Sequence, residues 1–393
     1  MSSAAPTSTT HTRTALALNV ALATVRRNVP LFRGIYPADT TSAGRYPRRP
    51  AATGIEEGGN SGWTTSFWPG MQWLAWEATD DAVFRDSAHA YTVDFVRRVR
   101  AVEDLDMHDI GFLYSLSTVA DWRLTGDLVA RDASLQAAAL LMRRFLEPAG
   151  IIQAWGDLKD PAQRGRTIID SLMNLPLLTW AAGETGDTRF SDAVRRHTAQ
   201  LREHIIREND STFHTYQWDT VTGVAVGGTT AQGAHDQSCW ARGQAWGIYG
   251  FALNHRATGD PRDLAAAWRC AEYFLAHLPT DLVPYWDLDF GENDGAPRDS
   301  SASAIAICGL LELARAGTDS VRSARADEAA RELLDALIEH CTPATAEDAD
   351  ALLLHGVYSF PEGIGIDEGT LWGDYFYLEA LVRVARPDWT TYW

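Results

Sequence analysis

Thr125-Gly126-Asp127 decides the fold, because the same punctuation recurs along the chain. It reads Ala78-Thr79-Asp80, Thr185-Gly186-Asp187, Thr258-Gly259-Asp260 and Gly317-Thr318-Asp319, with Arg386-Pro387-Asp388 in a similar place near the end. Each follows an apolar run rich in Ala, Leu or Trp, as at 112–124, 172–182 and 304–314. Each of the first five precedes a second helical run, such as 190–207 or 264–278. A glycine can end a helix in the left-handed region, and an Asp carboxylate can accept from the free N–H groups that open the next. The repeated unit is therefore helix, tight turn, helix.

A helix pair cannot bury its own apolar face and must stack on neighbours. Six pairs can close into a ring, and an open solenoid is the alternative. The gaps between the five Thr residues are 46, 60, 73 and 60, which is uneven for a solenoid. The expectation is an all-α ring of six helical hairpins, with its long connections on one rim, where function often sits.

Outward from the repeats, residues 1–14 are rich in Ser, Thr, Ala and Pro and read as a disordered tail. Residues 15–393 read as one domain. The apolar stretch 15–25 is too short to span a bilayer and reads as the first core helix. Stretches 54–62 and 287–300 read as rim loops, and 210–234 as a long excursion with short strands. The 52 acidic and 34 basic residues give a net charge of -18. The most basic run, Arg45-Tyr46-Pro47-Arg48-Arg49, is too short for a nucleic-acid face. Cys239, Cys270, Cys308 and Cys341 form no CxxC and read as buried free thiols of a reducing compartment. With no secretory leader pattern, the expectation is a cytoplasmic monomer or weak homo-oligomer with no membrane partner.

The 15 Trp residues include several beside carboxylates, amides or Arg: Trp63, Trp68, Trp73, Trp155, Trp240, Trp246, Trp286 and Trp372. A Trp face suits the apolar face of a sugar ring, and core packing is the plainer use. Two acidic centres precede apolar helices: Asp106-Met107-His108-Asp109 and Ile168-Ile169-Asp170-Ser171, with Asn174 one turn beyond Asp170. Capping is the structural reading of Asp109 and Asp170; the chemical one is a carboxylate pair of the kind glycoside hydrolysis uses. Arg242, between Trp240 and Trp246, suits either a substrate carboxylate or a structural acid. Tyr285-Trp286-Asp287 with Arg298-Asp299-Ser300-Ser301, and Ile366-Asp367-Glu368 with Trp372-Gly373-Asp374-Tyr375, read as caps or rim. The 11 His residues are scattered; His108-Asp109 shows no third or fourth metal partner, and no nucleotide-binding or Gly-x-Ser-x-Gly motif is present. No metal or cofactor is expected.

Taken in order, Trp63-Thr64-Thr65-Ser66-Phe67-Trp68-Pro69-Gly70, His108-Asp109-Ile110-Gly111-Phe112, Ile168-Ile169-Asp170-Ser171-Leu172-Met173-Asn174 and Ser238-Cys239-Trp240-Ala241-Arg242-Gly243-Gln244-Ala245-Trp246 resemble one family. Val283-Pro284-Tyr285-Trp286-Asp287, Arg298-Asp299-Ser300-Ser301-Ala302 and Trp372-Gly373-Asp374-Tyr375-Phe376 continue the match. The family is that of the unsaturated glucuronyl hydrolases, glycoside hydrolase family 88. The resemblance implies an (α/α)6 barrel and removal of a 4,5-unsaturated uronic acid from a small acidic oligosaccharide, with no cofactor. It implies Asp170 as acid/base and Asp109 as its partner. It further implies Trp63, Trp155 and Trp246 as lining aromatics, His108, His214 and Gln232 as polar cleft residues, and Arg242 as a substrate contact. An unsaturated rhamnogalacturonyl hydrolase and a non-catalytic carbohydrate-binding ring are the alternatives.

Overall fold

The computed structural model describes residues 8–160, 163–317 and 319–393. Twelve main helices are labelled here in chain order: α1 Ser8–Leu31, α2 Phe67–Thr79, α3 Ala82–Ala101, α5 Leu128–Met142, α6 Leu175–Thr185 and α7 Thr188–His204. They continue with α8 Ala241–Thr258, α9 Pro261–Ala276, α10 Ser300–Ala316, α11 Ser320–His340 and α12 Leu371–Ala385. Helix α4 runs through Ile110–Tyr114, a π-helical turn Ser115–Val119, and Ala120–Thr125.

The even-numbered helices form the inner ring. Each touches the next, α2 to α4, α6, α8, α10 and α12, and α12 returns to α2. That closure excludes the open solenoid. Inner helices are buried nearly all round: every residue of Ala241–Asn254 in α8 is buried. Outer helices bury one stripe; in α7 it is Ala193, Val194, His197, Thr198 and Leu201, the spacing of an amphipathic helix. Five outer helices follow their inner partners through the repeated turns. The sixth hairpin pairs α12 with α1, so the ring closes between its two ends rather than through a tight turn at 386–388. Buried apolar residues from Ala21 to Trp393 form one contiguous core, with a small satellite of Leu146, Ala149, Ile151 and Trp218.

The recurring turns share one hydrogen-bond scheme. Thr125, Thr185 and Thr258 each donate Oγ1 to the carbonyl four residues back and accept the N–H of the Asp two residues on. Gly126, Gly186 and Gly259 take φ of 78, 71 and 72°, and Asp127, Asp187 and Asp260 cap the next helix. The first turn is displaced by one residue from the expectation: Asp80 takes the left-handed position and Asp81 caps α3. In the fifth, Asp319 caps α11 but Gly317 is extended; Thr318 lies outside the described residues.

One sequence expectation changes. Helix α1 begins at Ser8, so Ser8–Thr14 are helical rather than tail; residues 1–7 lie outside the described residues. The excursion at 210–234 holds the expected strands, Thr215–Trp218 and Ala225–Thr229, and the first of them pairs on one side with Arg166–Ile168 and on the other with the second. A second hairpin, Gly356–Ser359 with Ile364–Glu368, rises between α11 and α12. All four cysteines are buried and free. No helix among the described residues is long and apolar enough to cross a membrane. With every tight turn at one end, the N-termini of the inner helices and the long connections gather at the other.

Candidate active site

Asp109 immediately precedes α4, and Asp170 lies in the 3-10 turn Ile169–Met173 that leads into α6. The capping reading fails for both. Asp109 makes no cap hydrogen bond from its side chain, and Asp170 sits inside its turn with Oδ1 buried and unpartnered. Neighbouring inner helices therefore present both carboxylates to one point of the rim.

Gly111 and Asn174 hold the two segments together. A Cβ on Gly111 would overlap the backbone of Asn174, so only glycine permits this approach. Asn174 Oδ1 accepts the N–H of Phe112 at 2.8 Å, and its amide hydrogen-bonds Asp109. Behind Asp170, Ser171 Oγ donates to Ile168 O at 2.6 Å and lies 2.8 Å from His197 Nε2. His197 Nδ1 accepts the N–H of Ile152, so the ring proton sits on Nε2 and is donated to Ser171.

His108 completes the centre. Its Nε2 lies 3.3 Å from Asp109 Oδ1 and 3.4 Å from Asp170 Oδ1. One ligand-capable atom from each of the three lies within 4.8 Å of the others. The expectation that His108-Asp109 lacks a third partner is thereby corrected, because folding brings Asp170 across 61 residues of sequence. Burial dominates the electrostatics. It pushes Asp109 up to about 7 against the opposing hydrogen bond from Asn174 and the charge of Arg144. Burial and the neighbouring Asp109 carboxylate push Asp170 well up, with Arg242 pulling the other way. Burial and the positive charge of Arg144 hold His108 well below its ordinary range, so it is neutral.

Arg242 stands at the start of α8 and is only 2% exposed. It bonds Asp299 at 3.1 Å and the carbonyls of Val357 and Tyr358, and donates to Gln232 Oε1 at 2.8 Å. Trp240 and Trp372 stack on it at 4.5 and 4.9 Å. The reading as a free substrate clamp is corrected: four guanidinium N–H groups are already engaged, and the structural acid is Asp299. Its charge still acts on Asp170, and it orients Gln232, whose amide nitrogen remains available. His214 Nδ1 accepts the N–H groups of Ala231 and Gln232, which leaves its proton on Nε2; burial and Arg242 bring it down to about 3.

The aromatic expectations divide. Trp63 is partly exposed, donates Nε1 to Tyr358 OH at 3.2 Å and packs on Phe112 and Trp372. Trp155 is partly exposed on its loop with Arg166 over its face at 5.1 Å. Trp246 is 1% exposed between Phe112 and Phe376, so it supports the site as core rather than lining it. Asn174, Arg144, His197, Asp299 and Tyr358 were not singled out from the sequence as site residues. Asn174 carried one visible signal, its four-residue spacing from Asp170; the partners of the others are remote in sequence.

The sequence model of Glycosyl Hydrolase Family 88 matches residues 44–383. An unsaturated chondroitin disaccharide hydrolase of Streptococcus pyogenes serotype M1 is 42% identical, over 96% of this chain and 92% of that protein. The crystal structure of an unsaturated glucuronyl hydrolase from Bacillus sp. GL1 superposes with a TM-score of 0.90 at 42% identity, over 96% of this chain and 98% of that one. A variant of the enzyme from Streptococcus agalactiae, in complex with dGlcA-GalNAc6S, gives 0.83 at 37%, over 97% and 93%. Paired carboxylates on adjacent inner helices of a closed (α/α)6 barrel and a family match over most of the sequence agree, and the chain belongs to Glycosyl Hydrolase Family 88.

Proposed function

We propose that this glycoside hydrolase removes a 4,5-unsaturated uronic acid from the non-reducing end of a short acidic oligosaccharide, with Asp170 as acid/base. The observation that carries the roles is the trio of Asp170, Asp109 and His108 within 4.8 Å, where burial and the Asp109 carboxylate raise the pKa of Asp170. A carboxylic acid that stays protonated near neutrality can protonate C4 of the enol ether. The double-bond electrons form the new C4–H bond, and positive charge develops on C5 and the ring oxygen. Water adds to C5 and gives its proton to the Asp170 carboxylate. The resulting hemiketal opens and releases the remaining sugar. Asp109, in its ionised form, stabilises the developing cation. Gln232 and His214 Nε2–H supply donors at the rim, and the inner-helix N-termini favour a substrate carboxylate there.

The hairpin carrying Tyr358 borders the same rim through its contacts with Trp63 and Arg242. Its residues from Gly356 to Glu368 include Glu362 and no Lys or Arg. That supports an unsulfated neighbouring sugar over a sulfated one. Loss of the ultraviolet absorbance of an unsaturated uronyl disaccharide tests both readings. Turnover should fall at least about a hundredfold in Asp170→Asn, and the unsulfated disaccharide should be preferred to its 6-sulfated counterpart. Retained turnover in Asp170→Asn would overturn the acid/base role.

A further inference from the structure

We propose that His108, Asp109 and Asp170 also form a binding site for a borderline-soft divalent cation such as Zn2+, which blocks the enzyme by occupying its acid. The inhibitory consequence rests on the reading of Asp170 as the acid; the binding site does not. His108 is 1% exposed, and neither ring nitrogen has a hydrogen-bond partner, although Nε2 points between the two carboxylates. Asp170 Oδ1 is equally buried and unpartnered. Three ligand atoms thus surround one point without competing protein partners on two of them.

The spacing fits a particular coordination. Ligand atoms ~2.0–2.1 Å from a tetrahedral ion lie about 3.3–3.4 Å apart. Nε2 stands 3.3 and 3.4 Å from the two Oδ1 atoms. Imidazole nitrogen and carboxylate oxygen are both zinc ligands, and three protein ligands leave a fourth position open. Ca2+ and Mg2+ favour all-oxygen shells, whereas an imidazole nitrogen among the ligands suits zinc. His108 Nδ1 lacks the outer hydrogen bond that steadies most metal-bound imidazoles, which lowers affinity by ~10–100-fold from that of a fully supported site. The site therefore takes zinc reversibly rather than as a resident ion.

A second trio, His89, Asp121 and Asp127, has similar composition but different chemistry. The Asp121 carboxylate already accepts from Thr92 and Thr125 and bonds His89, and Asp127 caps α5. It serves as the internal control. Calorimetric titration of the full chain with zinc chloride in a non-chelating buffer should show one ion per chain. Cobalt chloride should give the visible absorption of a tetrahedral cobalt site. His108→Ala and Asp170→Asn should each weaken binding at least ~10-fold, while His89→Ala should leave it unchanged. Zinc should raise the apparent KM, and a chelator should reverse this. No binding to the wild type, binding that survives His108→Ala and Asp170→Asn in folded protein, or loss in His89→Ala would each overturn the site. Zinc binding with the expected variant pattern, but no turnover of unsaturated disaccharide, would sink the proposed function and leave the site standing.

Discussion

Replacing Asp109 by Asn should make Asp170 a stronger acid. The carboxylates approach within 4.8 Å, and burial keeps most solvent from between them. At that distance, two unit charges with an effective dielectric constant of about 20 repel by roughly 3.5 kcal/mol. Removing the repulsion is worth roughly a 300-fold drop in the proton affinity of Asp170. The sign is fixed: a neighbouring negative charge favours the protonated form, so its loss moves the titration to lower pH. The wild-type pair must be treated as one coupled system with two macroscopic steps, and the Asn variant leaves a single site. Carboxyl carbon NMR of labelled Asp reads that titration without needing turnover. The basic limb of the residual pH–rate profile should move to lower pH in step. An Asp170 titration that stays in place would refute the electrostatic coupling, and with it the argument that Asp109 helps keep the acid protonated.

Asp109→Asn should also stabilise the fold above neutrality. Its pKa is raised from 3.8 to about 7, so the folded state holds a proton that the unfolded state loses. Wild-type stability therefore falls as pH rises from about 4 to about 7, by up to about 4 kcal/mol. Denaturant unfolding at pH 8 should favour the variant, and the advantage should vanish near pH 4. Gly111→Ala should cost ~1–3 kcal/mol through its clash with Asn174 and reduce kcat, while Ala at Gly126, an open turn position, should spare kcat. Arg242→Ala should cost ~3–5 kcal/mol in thermal or denaturant unfolding, because it strands Asp299 in the core; a variant as stable as wild type would restore the clamp reading.

The hairpins were legible because their turn chemistry is local. Thr, Gly and Asp bond within six residues of one another, so the code needs no tertiary context. Ring closure was legible only as a consequence of counting. The pairing of α12 with α1 joins opposite ends of the sequence, and no local pattern encodes it. The π-helical turn at Ser115–Val119 gave no sequence signal either. At the site, Asp109 stood out because Asp106 and His108 crowd it ahead of an apolar helix, and Asp170 because it follows two branched apolar residues ahead of another. The role of Asn174 depends on the N–H of Phe112, 62 residues away. Arg242 was ambiguous for the same reason: Asp299, 57 residues on, decides between clamp and structural pair. Trp246 was ambiguous because a Trp beside an Arg on a helix can face either the cleft or the next ring, and here Phe112 and Phe376 pack on it.

The barrel architecture sets two opposing fields on these carboxylates. The N-termini of α4 and α6 stand beside Asp109 and Asp170, and a helix N-terminus favours the charged form of an acid. Burial favours the neutral form, and the elevated titration of both groups means that burial wins. The protonation of the pair, and with it the proposed acid, therefore depends on how well the rim excludes water. That work falls to residues with no part in proton transfer: Trp63 bonded to Tyr358, the loop of Trp155 held under Arg166, and the core ring of Trp246. Loosening any of these walls hydrates the pair, lets the helix termini prevail, and lowers both titrations. A change remote from the reacting atoms would then appear first as an altered pH profile, before any loss of fold. This explains why so much Trp surrounds a centre built from two Asp and one His.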